Sequence, residues 1–177
     1  MLTSTAIPIA TLSGKTLAIF CGCTIAVTAP VALHGLGVSI GVGSALGQMF
    51  LPMFWPVLLV GLLAGRLPGL TVGMLSPLVS FALSGMPQVA LLPPLMGQLA
   101  MLGLIAGVLA STLIPEVLKA LIALGASIVV RILLHCSFSG TWSGAWNSVA
   151  VCWPGMVVLV TAIPIISHVF RRTHESN

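Results

Sequence analysis

The chain has 177 residues, of which 58% are hydrophobic and only 5% charged, with a mean hydropathy of +1.22. That composition excludes a soluble domain with a solvated surface and describes a protein whose solvent is lipid. The net charge of +4 comes from residues beside apolar runs; it reports membrane orientation and calls for no nucleic-acid partner.

Four charge clusters divide the chain: Lys15, Arg66, Glu116 with Lys119, and Arg171 with Arg172, at intervals of about 50 residues. A bilayer-crossing helix needs about 20 apolar residues, so each interval holds two spans and a connection. The prediction is an all-α integral membrane protein, six transmembrane helices in one compact domain over residues 1–177. If the first helix starts inside, every cluster and both termini are cytoplasmic, as the positive-inside bias requires. The expected location is the cell (inner) membrane, multi-pass.

The first span is predicted over Lys15 to Leu33. Lys15 followed by an apolar run that continues past Pro30 reads as a retained signal-anchor. Phe20 occupies the position before Cys21 where a lipoprotein needs a small residue. Ser13-Gly14-Lys15-Thr16 resembles the end of a nucleotide-binding loop, but Ile9 stands where that loop needs glycine and no strand precedes it. Ala18, Gly22 and Ala26 form a small-residue stripe that lets another helix approach closely. The stretch from Gly35 through Gly41, Gly43 and Gly47 reads as an outer loop, too rich in glycine for an ordinary span.

The second span is predicted over Met53 to Gly65, entered through Pro52 and Pro56, and the third over Gly69 to Leu83. Gly61, Gly65, Gly69 and Gly73 repeat the four-residue spacing, and internal packing is their default role. Ser84-Gly85-Met86-Pro87 is a turn signal. The fourth span covers Leu92 to Leu113. Pro115 opens the fifth, which carries Glu116 in its first turn, where a carboxylate complements the helix dipole, and reaches His135. Cys136 to Asn147 is polar and holds Trp142 and Trp146, and is predicted as an outer connection. The sixth span runs from Ser148 to Phe170.

Arg131 lies twelve residues beyond Lys119, about 18 Å into a core of roughly 30 Å and so in its outer half. A cation there costs about 2.5–3.5 kcal/mol on insertion scales, and something should compensate. With Ser127 one turn before and His135 one turn after, one helix face carries a hydroxyl, a guanidinium and an imidazole. Two readings follow: a site for an anionic or strongly hydrogen-bonding ligand, or an arginine that snorkels to the outer headgroups. Glu116 and Glu175 are the only carboxylates, which excludes paired-acid catalysis and carboxylate-rich metal sites. Cys21, Cys23, Cys136 and Cys152 lack CxxC or zinc-finger spacing. No metal, cofactor or catalytic residue is expected.

The run Leu51-Pro52-Met53-Phe54-Trp55-Pro56-Val57-Leu58-Leu59-Val60-Gly61, followed by Ser76-Pro77-Leu78-Val79-Ser80-Phe81-Ala82-Leu83-Ser84-Gly85-Met86-Pro87, resembles the substrate-binding S components of energy-coupling factor (ECF) transporters. The resemblance covers residues 30 to 110 by motif and the whole chain by length and topology. It departs at Phe54, where such proteins often carry histidine, and at Gln98, where they often carry glutamate; both departures bear on the substrate. The resemblance implies a six-helix domain that captures a vitamin-like nutrient outside and topples within a complex of a transmembrane T component and two cytoplasmic ATPases. It makes Ala18, Gly22 and Ala26 the candidate docking stripe for the T component. The substrate would lie among His34, Met53, Trp55, Met86, Gln88, Gln98, Arg131, His135, Trp142, Trp146 and Asn147. Tryptophan and methionine offer flat, polarisable contacts to a ring, while glutamine, asparagine and arginine orient its polar edge. An integral-membrane enzyme using His34 or His135, and a small glycine-packed channel or oligomer, are the alternatives.

Overall fold

A computed structural model describes residues 12–41, 49–85, 87–139 and 141–175. Those residues form seven α-helices and no strand. They are α1 (Leu12–Ser39), α2 (Phe54–Ala64), α3 (Arg66–Ser84), α4 (Leu92–Leu109), α5 (Glu116–Ser139), α6 (Trp142–Ala150) and α7 (Trp153–Glu175), with a 3₁₀ turn over Val89–Leu91 ahead of α4. Gly43, Gly47 and Met86 lie outside the described residues.

The exterior is apolar, with Leu17, Phe20, Ile25, Val129, Leu133 and Ile165 exposed, while Gln98, Lys119, Ser76, Ser80, Ser127 and Ser167 are buried within a mostly apolar core. Apolar side chains facing outward and the few polar ones facing inward are the arrangement that hydrocarbon favours. Four helices are long and apolar enough to cross a membrane: residues 14–39, 66–84, 89–109 and 116–138. Phe54–Ala64 and Trp153–Ser167 are apolar but shorter. At 1.5 Å per residue the 11 residues of α2 rise about 16 Å, half of a bilayer core.

This short helix sits at the centre. Eight of its 11 residues are buried, and it packs against α1, α3, α4 and α7. Apolar residues all round mark a helix enclosed on every side. Pro52 and a backbone hydrogen bond from Phe54 N to Leu51 O at 2.9 Å set its start, with Leu51 in the left-handed region at φ 49°. Gly65 alone joins α2 to α3; its φ of 97° is open to glycine and strained for other residues.

The α2–α3–α4 unit is assembled backbone to backbone. A Cβ at Gly103 would strike the Gly69 carbonyl, one at Gly73 the Leu99 carbonyl, and one at Gly61 would lie 2.9 Å from the Ala106 Cβ. In lipid, such small-residue contact takes the place of the hydrophobic effect in holding helices together. The four-residue glycine spacing thus serves internal packing, and Gly103 and Gly107 on α4 form its facing half.

Several boundaries differ from the sequence reading. α1 continues through Gly35 and Gly37, predicted as loop, with Ser39 Oγ donating to the Gly35 carbonyl at 2.9 Å. The polar segment after His135 is largely helical. Ser137 Oγ donates to the Leu133 carbonyl at 2.9 Å, so its helix absorbs its polarity; α5 reaches Ser139, and α6 fills most of the predicted connection. The fourth span ends at Leu109, where Thr112 Oγ1 takes the Leu109 carbonyl at 2.7 Å. Lys119, expected in a solvated cluster, is 2% exposed and donates to Glu116 Oε1 at 2.8 Å. Along the predicted docking stripe Ala26 is fully buried, and a Cβ at Gly22 would lie 2.7 Å from Val60 and 3.2 Å from Val72. Ala18, Gly22 and Ala26 pack α1 onto α2 and α3 of the same chain.

Candidate functional site

The site starts with a hydrogen bond between helices. Arg131 Nη1 on α5 donates to Gln98 Oε1 on α4 at 2.9 Å. The Gln98 side chain is 1% exposed. The half-buried guanidinium therefore reaches sideways to α4 at the height of Gln98. A charge-assisted hydrogen bond at this depth ties α4 to α5 and places a positive charge inside a low-dielectric interior.

Helix register brings a third group to the same height. α2 and α4 each run antiparallel to α3, so they run parallel to one another, and Gly61 meets Gly103 and Ala106. Six positions back from Gly61 is Trp55; six positions back from Gly103 and Ala106 are residues 97 and 100, which bracket Gln98. Trp55 packs against the core, and its Nε1 is buried with no hydrogen-bond partner among the described residues. A buried indole N–H normally finds an acceptor, so this one is an open donor position.

Cys152, in the turn between α6 and α7, lies within electrostatic reach of the guanidinium. One turn beyond Arg131, His135 lines a cleft of about 180 Å³ with Ala90, Leu91, Pro94 and Phe138. Gly144 of α6 stands beside it, since a Cβ there would lie 3.4 Å from His135 Nε2.

The structure thus brings together Gln98 and Arg131, sets Trp55 at their height and stacks His135 above them. Met53 is half-buried against the core near the start of α2. Gln88, ahead of the 3₁₀ turn, and Trp142, Trp146 and Asn147 on α6 are exposed, with Trp142 67% and Trp146 58% exposed. His34 is half-buried on α1, which packs chiefly on α2 and α3. Cys152 and Gly144 were not foreseen; no sequence spacing connects either to α5. Among the described residues no group of three histidine, cysteine or carboxylate side chains stands close enough to hold a metal ion. The gathered groups are hydrogen-bond donors and acceptors at the height of a flat ring, residue types that can orient a small polar molecule.

Compared with known proteins, the chain matches no family model, no curated protein and no solved structure.

Proposed function

We propose that this chain is the membrane-embedded substrate-binding component of an energy-coupled importer, of the S-component kind its motifs resemble, and that it captures a small, vitamin-like, ring-containing nutrient from the outer side. The Arg131–Gln98 hydrogen bond carries this reading. A cation held between two helices in the outer half of a membrane bundle is costly unless it has a task, and binding a polar substrate is such a task. The four long and two short apolar helices form the six-helix bundle of this reading, with both termini inside and the Trp55–Gln98–Arg131 level facing the outer entrance. With no nucleotide loop in its sequence, the chain draws its energy from a T component and a pair of cytoplasmic ATPases.

The test is retention of small molecules. The purified protein, incubated with yeast extract and washed, should release a ring-containing molecule on denaturation, identified by mass spectrometry. Arg131→Gln removes a charge-assisted contact typically worth about 1.5–3 kcal/mol, so it should weaken retention roughly ten- to a hundredfold while the fold survives. Release of nothing from the parent protein, or equal retention by the variant, would refute the proposal.

A further inference from the structure

The open indole N–H of Trp55 says something about the substrate that the Arg131–Gln98 bond does not. Three observations bear on it. Trp55 Nε1 is buried, and no described acceptor meets it. The tryptophan opens α2, whose register with α4 puts it level with Gln98 and hence with the Arg131 guanidinium. And α2 is enclosed among α1, α3, α4 and α7, with Trp55 half-buried in its first turn.

From these we infer that Trp55 is a specificity-determining residue whose Nε1–H donates to a carboxylate oxygen of the bound molecule, the anionic group lying on the Arg131 side of the site. This rests on the binding function proposed above and adds a substrate class to it: small ring-bearing carboxylic acids. The indole supplies the hydrogen bond that a carboxylate or a carbonyl accepts, and a site built to donate rejects molecules that cannot accept, because the donor is then left buried and unpaired. The guanidinium decides between the two acceptors. Whatever hydrogen bonds it makes, its charge acts through a low-dielectric interior and favours an anion over a neutral carbonyl at the same height. Gln98, accepting from Arg131, holds the guanidinium at that level and thereby positions the charge. No covalent step is involved, and the molecule leaves unchanged.

The experiment compares four proteins in lipid nanodiscs: the parent, Trp55→Phe, a protein with 3-benzothienylalanine at position 55, and Arg131→Gln. The benzothiophene keeps the bicyclic shape and lacks only the N–H, so it isolates the hydrogen bond if Trp55→Phe disturbs packing. The probe is yeast extract, untreated or with its carboxylic acids converted to methyl esters, and retained molecules are quantified by mass spectrometry. The expected result is a molecule retained by the parent from the untreated extract alone and held about three- to tenfold less well by both position-55 proteins. Equal retention by the parent and the benzothienylalanine protein, with loss in Arg131→Gln, overturns the role of Trp55 and leaves the binding function standing. Retention from the esterified extract overturns the carboxylate. Retention of nothing by any of the four, from either extract, overturns the binding function and this inference with it.

Discussion

Replacing Gln98 with leucine tests how much the interhelical bond at the centre of the site contributes to the fold. The substitution puts an apolar side chain of similar size at a position 1% exposed and removes the acceptor that lies 2.9 Å from Arg131 Nη1. Hydrogen bonds to charged groups contribute about 1.5–3 kcal/mol in water-soluble proteins. Interhelical bonds in membrane proteins average only about 0.6 kcal/mol and reach about 1.7, because the unfolded chain in lipid also finds partners. Full burial and a charged donor place this bond near the top of the membrane range, at about 1.5 kcal/mol. For a chain of this length that corresponds to a fall in melting temperature of roughly 3–6 °C. Equilibrium unfolding in mixed micelles of Gln98→Leu, Arg131→Leu and the double variant forms a closed cycle. The coupling should be about 1 kcal/mol or more, since the double variant removes both members and leaves neither stranded. A coupling within about 0.5 kcal/mol of zero would mean that the two side chains merely lie side by side, and the argument that Gln98 positions the guanidinium would fail.

Glycine positions predict opposite signs. Gly103→Ala should destabilise by about 1–3 kcal/mol, because its Cβ meets the Gly69 backbone, which cannot yield as a side chain can. Gly125→Ala, where an added Cβ meets nothing within 4 Å, should be neutral or stabilise by up to about 1 kcal/mol; melting curves of the two variants check both. Lys119→Met should cost about 1–3 kcal/mol by taking the ammonium from the half-buried Glu116, and adding Glu116→Gln should recover much of that loss. In a cysteine-free background an impermeant thiol reagent applied to intact cells should modify Ser84→Cys and Thr141→Cys, both at predicted outer ends, and spare Ser111→Cys in the α4–α5 connection. The reverse pattern would turn the Arg131 level toward the cytoplasm and overturn capture from outside.

What could be read in the sequence was whatever depends on composition along one helix. Apolar runs bounded by charges located α1 to α5 and α7, but not α6. Polarity misled where helices absorb it. Ser137 and Ser39 give their hydroxyls to carbonyls of their own helices, so stretches that looked like loops are helical. Lys119 misled for a related reason: a charge in a cluster near a membrane surface looks solvated until its helix face is known, and that face turns inward. Contacts between helices were the least legible. Gln98 stood out only as a departure from a motif, and nothing in its neighbours announces Arg131, 33 residues away. The stripe on α1 was visible as small residues, but a stripe does not say which helix fills it, and Val60 and Val72 fill this one.

The glycine seam divides the bundle mechanically. Where α3 lies on α4, main chain meets main chain at Gly69, Gly73 and Gly103, so any slide collides with atoms that have no rotamers to offer. The α4–α5 boundary is different: at Gly97 the facing atoms belong to the side chains of Leu134 and Val130, which can reorient. Trp55 and Gln98 therefore stand on the stiff half, and Arg131 rides on the compliant one. The hydrogen bond from Arg131 to Gln98 is thus the polar tie that holds the charge of the compliant helix against the stiff one.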